Sequence, residues 1–180
     1  MESGLLRNPA LNFWKIENEE NAMKKNTGGV VGAVRKIAEP LAEELGYVLW
    51  DVEYVKVGAD MYLRITIDNE EGITIEDCEK MHRAIDPLLD EADPIEDAYH
   101  LEVSSPGIER DLKEDWQIDA CEGWDVEVRL YAPMDGAKSY LGVLSGLDAD
   151  GNVVIDCNGT SRTFPRATVA SLKTRYEFDN

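Results

Sequence analysis

The chain has 180 residues, a 43% hydrophobic fraction and a net charge of −19, long enough for one medium or two small domains with a real core. Such acidity argues against a dedicated grip on nucleic acid, which gathers Lys and Arg on one face, and favours encounters with basic partners. Three scattered cysteines, Cys78, Cys121 and Cys157, fit neither a disulfide framework nor a zinc site and are expected as small core residues.

No secretory h-region opens the chain, and no apolar run approaches the roughly 18 residues that span a bilayer. The expected location is therefore the reducing cytosol. Residues 1–115 hold 12 basic and 27 acidic side chains and the remainder 6 and 10, so the acidity is concentrated early. The same charge has a second reading, as a device that merely keeps the protein soluble.

Residues 1–28 read as a flexible extension. They hold one apolar cluster (Leu11, Phe13, Trp14, Ile16) among loop-like residues, and Met23 is an alternative start. Val30, Val31, Val34, Ile37, Leu41 and Leu45 recur at helical spacing, with Gly46 as the stop and Pro40 expected to kink or divide the helix near Glu39. Tyr47 to Val57 and Met61 to Asp68 read as a hairpin turning at Gly58-Ala59-Asp60, with Leu63, Ile65 and Ile67 inward.

Thr74 and Asp77 form a capping-box-like start to a second helix striped by Ile75, Cys78, Met81, Ile85 and Leu88 or Leu89; Pro87 is expected to bend its last turn. His82 has no second ligand at helical spacing. Asp86, Asp90, Glu91, Asp93, Glu96 and Asp97 form the densest acidic patch, without the rhythm or central glycine of a calcium loop. Asp86, Asp90 and Glu91 are the candidate acidic docking face, and no metal or cofactor is expected.

Tyr99, Leu101 and Val103 alternate with His100, Glu102 and Ser104 as a half-buried strand that stops at Ser104-Ser105-Pro106-Gly107. Pro-Gly suits the central positions of a type II turn, and a serine just before it can hydrogen-bond the turn backbone. Ile108 and Leu112 suggest one helical turn afterwards. The chain is hinged here, and Ser104, Ser105, Pro106, Gly107 and Arg110 are the candidate hinge or partner-binding residues. Ser105 with His100 would be needed for a hydrolase, but no orienting acid or glycine-flanked serine elbow accompanies them, so catalysis is not expected.

Beyond the turn, Trp116 to Glu122 is ambiguous, with a short helix as one reading. Trp124 to Tyr131, Ser139 to Leu147, Asn152 to Cys157, Ser161 to Phe164 and Thr168 to Thr174 read as five short strands, with Asn158-Gly159 as a type I′ turn and Pro165-Arg166-Ala167 as a brief one. The pattern is α+β: a three-stranded sheet with two helices on one face (29–112), then a small all-β barrel (113–180). The barrel carries Arg129, Lys138, Arg162, Arg166, Lys173 and Arg175, which makes it the better candidate for proximity to RNA.

Leu101-Glu102-Val103-Ser104-Ser105-Pro106-Gly107-Ile108-Glu109-Arg110 resembles the signature of the bacterial ribosome maturation factor RimP family. Gly72 to Lys80 followed by Asp93-Pro94-Ile95 is similar to the same family in register, and the likeness runs from about Val30 to about Phe178. Asp111 departs from it, standing where the family pattern has proline. The resemblance implies an SH3-like (Sm-like) barrel at the C-terminal end. It also implies a non-catalytic, cytoplasmic and monomeric factor that binds the immature small ribosomal subunit transiently, through a basic ribosomal protein and also ribosomal RNA. An Sm-like RNA-binding regulator is the alternative.

Overall fold

The structure, a computed structural model, describes residues 28–176, so the expected flexible extension lies outside the described residues. The chain divides into two compact units between Pro106 and Gly107.

The first unit runs α1 (Gly29–Leu45), β1 (Val48–Val57), β2 (Asp60–Asp68), α2 (Ile75–Ala92) and β3 (Tyr99–Ser104). Helix α1 buries Val34, Ala38 and Ala42, spaced four apart, and ends where Gly46 takes φ +84 and donates its N–H to Ala42 and Glu43. Pro40 neither ends nor divides it. Pro40 and Lys36, whose carbonyl the proline ring frees, both face solvent, so water can satisfy that oxygen. Pro87 is accommodated in the same way on the exposed side of α2, which continues to Ala92.

Strands β1 and β2 pair antiparallel, β2 and β3 parallel, in the order β1-β2-β3. The β1–β2 register shifts between Leu49 and Asp51, so Leu49 and Val52 land on one face opposite Ile67 and Ile65. That face, with Leu63, Ile65 and Ile67 at 0% exposure, forms one core with Ala38 and Ala42 of α1 and Met81, Ile85 and Leu89 of α2. Full burial of each large aliphatic side chain contributes about 1.5–3 kcal/mol. The α2 stripe is narrower than its spacing suggests: Ile75 is 76% exposed and Leu88 also faces out. Of the cysteines only Cys121 is buried; Cys78 and Cys157 are half-buried.

The second unit runs α3 (Asp115–Ala120), β4 (Asp125–Met134), β5 (Ala137–Leu147), β6 (Val153–Cys157), β7 (Thr160–Phe164), a 3-10 turn at Arg166–Thr168 and β8 (Val169–Thr174). Its five strands form an antiparallel sheet in the order β7-β6-β5-β4-β8. Val126, Val128 and Leu130 alternate inward with Leu144, Val153, Ile155, Phe164 and Leu172. Asn158 and Gly159, both at positive φ, turn β6 into β7. The expected helical turn at 108–112 is absent. The backbone there bonds to β8 instead: Leu112 N–H donates to the Leu172 carbonyl at 2.9 Å, and Asp111 bridges Lys173.

Candidate functional site

The turn residues divide between the two units. Ser104 and Ser105 end the first unit, both exposed, and among the described residues neither hydroxyl makes a hydrogen bond. Pro106 is half-buried, and Gly107 takes φ +75, the value the third position of a type II turn requires. A Cβ built at Gly107 would meet nothing within 4 Å, so only backbone conformation selects glycine there.

Arg110 is anchored at the start of the second unit. Its backbone N–H donates to Thr174 Oγ1 at 2.8 Å, while the Thr174 hydroxyl donates to the Ile108 carbonyl at 2.8 Å. Its Nε donates to the Gly107 carbonyl at 3.1 Å, and its guanidinium stands 5.7 Å from the Trp124 ring. Thr174 has 0% exposure, so it satisfies two backbone groups from inside the fold.

His100 lies on the helix-free face of the first sheet with its ring 5.0 Å from Tyr62. Arg64 stands over the same tyrosine and pairs with Glu102 at 2.9 Å. Four residues along a strand separate His100 from Ser104 by ~13 Å, well beyond the reach of a base for that hydroxyl.

Asp86, Asp90 and Glu91 are all exposed on the second half of α2, whose last turn holds no basic residue. Carboxylates at that end oppose the helix dipole by roughly 0.3–1 kcal/mol each at exposed sites. Asp93 caps the helix at φ 43 and donates its N–H to the Leu89 carbonyl. The Tyr99 hydroxyl is pushed above its ordinary value by burial first, then by the charges of Asp90, Asp86 and Asp93. No group of three His, Cys, Asp or Glu among the described residues could hold a metal ion.

Four of the six basic residues of the second unit that suggested RNA are ion-paired within it. Arg129 meets Glu127 at 2.9 Å, Arg162 meets Asp135 at 3.1 Å, Arg166 meets Asp115 at 3.5 Å, and Arg175 lies 3.8 Å from both Glu109 and Glu127. Lys138 and Lys173 form no ion pair among the described residues. Sequence spacing did not reveal the groove between α2 and β3, where Ile75 and Val103 leave apolar surface open.

Residues 37–109 match the family model described as the RimP N-terminal domain.

Proposed function

The first unit of this chain belongs to the RimP family, and from that premise we propose that the protein is a non-catalytic factor in maturation of the small ribosomal subunit. It binds the immature particle transiently, as a cytoplasmic monomer, by docking its acidic face on a basic ribosomal protein. The observation that carries this reading is the exposed set Asp86, Asp90 and Glu91 at a helix end without a basic residue. A basic partner relieves the repulsion there, whereas exposed RNA adds to it.

The second unit, with five antiparallel strands, is read as an SH3-like barrel. Direct RNA binding through it is the second reading, and Lys138 and Lys173 are its candidates. The internal pairing of the four arginines favours the protein-docking account. No helix among the described residues is long and apolar enough to cross a membrane.

Replacing Asp86, Asp90 and Glu91 with lysine tests the docking account through association kinetics with basic small-subunit ribosomal proteins. The account expects slower association with little change in dissociation. Unchanged association with every such protein would overturn it.

A further inference from the structure

The order β1-β2-β3 leaves two sheet edges, and they differ. The β1 edge is interrupted by the bulge at Trp50. Among the described residues strand β3 is regular and pairs with β2 only, and it contains no proline, lysine or bulge, three of the devices that stop an edge from accepting another strand. Beside it lies a groove of about 210 Å³ lined by Ile75, Cys78, Glu79, His82, Arg83 and Val103. Val103 is half-buried and Ile75 is 76% exposed, so the groove offers an uncovered apolar surface. Its one arginine, Arg83, is paired with Glu79 at 3.0 Å. From the groove at Ile75 and Val103, α2 runs on to exposed Asp86 and Asp90 and ends on Asp93, and the charges of all three act on Tyr99 at the start of β3.

We propose that the free edge of β3 and the adjoining α2 groove accept an extended, lysine- or arginine-rich segment of a partner protein as an added strand. The segment's basic side chains meet the carboxylates near Tyr99, and one apolar side chain enters the groove at Val103. At about 3.3 Å per residue, β3 matches a segment of roughly six residues. Charge selects the occupant. A second copy of this chain would bring its own net charge of −19 to the same edge, and a nucleic acid strand brings negative charge and no matching backbone. The inference rests on the reading that the first unit docks a basic protein, and it adds the mode of binding.

The test uses the full chain and a fluorescent eight-residue probe alternating lysine and valine, with two versions methylated at every other backbone nitrogen in opposite phases. Methylation removes strand pairing on one edge and leaves the charge unchanged. The unmodified probe should bind and slow hydrogen exchange at residues 99–104. One methylated phase should bind at least about tenfold more weakly, the equivalent of one or two lost hydrogen bonds. Ile75→Lys, at an exposed position, should weaken the unmodified probe.

Equal binding of all three probes, or no protection of β3, overturns edge pairing and leaves the docking reading standing. Phase-selective binding that is indifferent to lysine at positions 86, 90 and 91 supports edge pairing but overturns charge selection of the segment, and with it the acidic docking reading. Failure of the unmodified probe to bind overturns the inference, and association kinetics with ribosomal proteins then judge the docking reading alone. Dimerisation through β3 in sedimentation equilibrium also overturns it.

Discussion

The Tyr47 hydroxyl donates a 2.7 Å hydrogen bond to Oδ1 of Asp77, whose Oδ2 accepts the Thr74 backbone N–H at 2.9 Å. One carboxylate thus caps α2 and ties it to the start of β1. Asp77 is held below its ordinary value by the Thr74 backbone N–H first, then by the Tyr47 and Thr74 hydroxyls. Its stabilisation is present above the unfolded carboxylate value near about 4 and is lost as pH falls through the lower folded value. Tyr47 behaves oppositely. Burial and then the bond to Asp77 raise it from 10.0 to about 12, so its contribution is full below pH 10 and disappears as pH rises toward 12. Urea midpoints across pH should therefore fall at both ends. Tyr47→Phe should cost about 1 kcal/mol near neutrality and flatten the alkaline fall. Asp77→Asn should flatten the acid one. An alkaline fall unchanged in Tyr47→Phe would contradict this assignment.

The turn after β3 should depend on its backbone and not on its hydroxyls. Gly107 sits at φ +75 in open space, so Gly107→Val should cost about 1–3 kcal/mol through conformation alone. Ser105→Ala should change stability by no more than about 0.5 kcal/mol, since the exposed hydroxyl has no partner among the described residues. Thermal melting of both variants checks this, and a larger loss from Ser105→Ala would reverse the assignment.

Gly142 reports on the second unit. A Cβ there would lie 2.4 Å from the Asp156 carbonyl oxygen, a backbone atom that moves only if β6 moves. Gly142→Ala should destabilise by about 1–3 kcal/mol, the usual cost of overpacking. Denaturant unfolding followed by the second unit's tryptophans reads the loss, and a neutral result would mean that β5 and β6 are not held this close.

Thr174→Val keeps the shape and removes the hydroxyl that serves both Arg110 N–H and the Ile108 carbonyl. Leaving these groups unpaired should cost about 1–3 kcal/mol. Hydrogen exchange should rise at Arg110 before the core of β4 is affected; uniform loosening of the whole unit would contradict a local role.

Local patterns were the legible ones. Thr74 and Asp77 announced their capping box, Asn158-Gly159 its turn, and the alternation at Val126 and Val128 its buried face. Long-range competition was not legible. The four-residue spacing of Ile108 and Leu112 looks helical, yet β8, some sixty residues later, takes that backbone's hydrogen bonds. Pro40 suggests a kink or a division and Pro87 a bend because spacing does not say that both face water. Arg110 looked available because its anchors, Thr174 and Trp124, are distant in sequence. The open edge of β3 depends on strand order, which no single stretch encodes.

Co-sedimentation of the purified protein with immature and with mature small ribosomal subunits, across a salt series, tests the central claim most directly. The account predicts retention on the immature particle, loss of binding as salt screens exposed charges over roughly 8–10 Å, and weaker retention when Asp86, Asp90 and Glu91 are lysine. Equal binding to both particles, or stronger binding after the charge reversal, would contradict it.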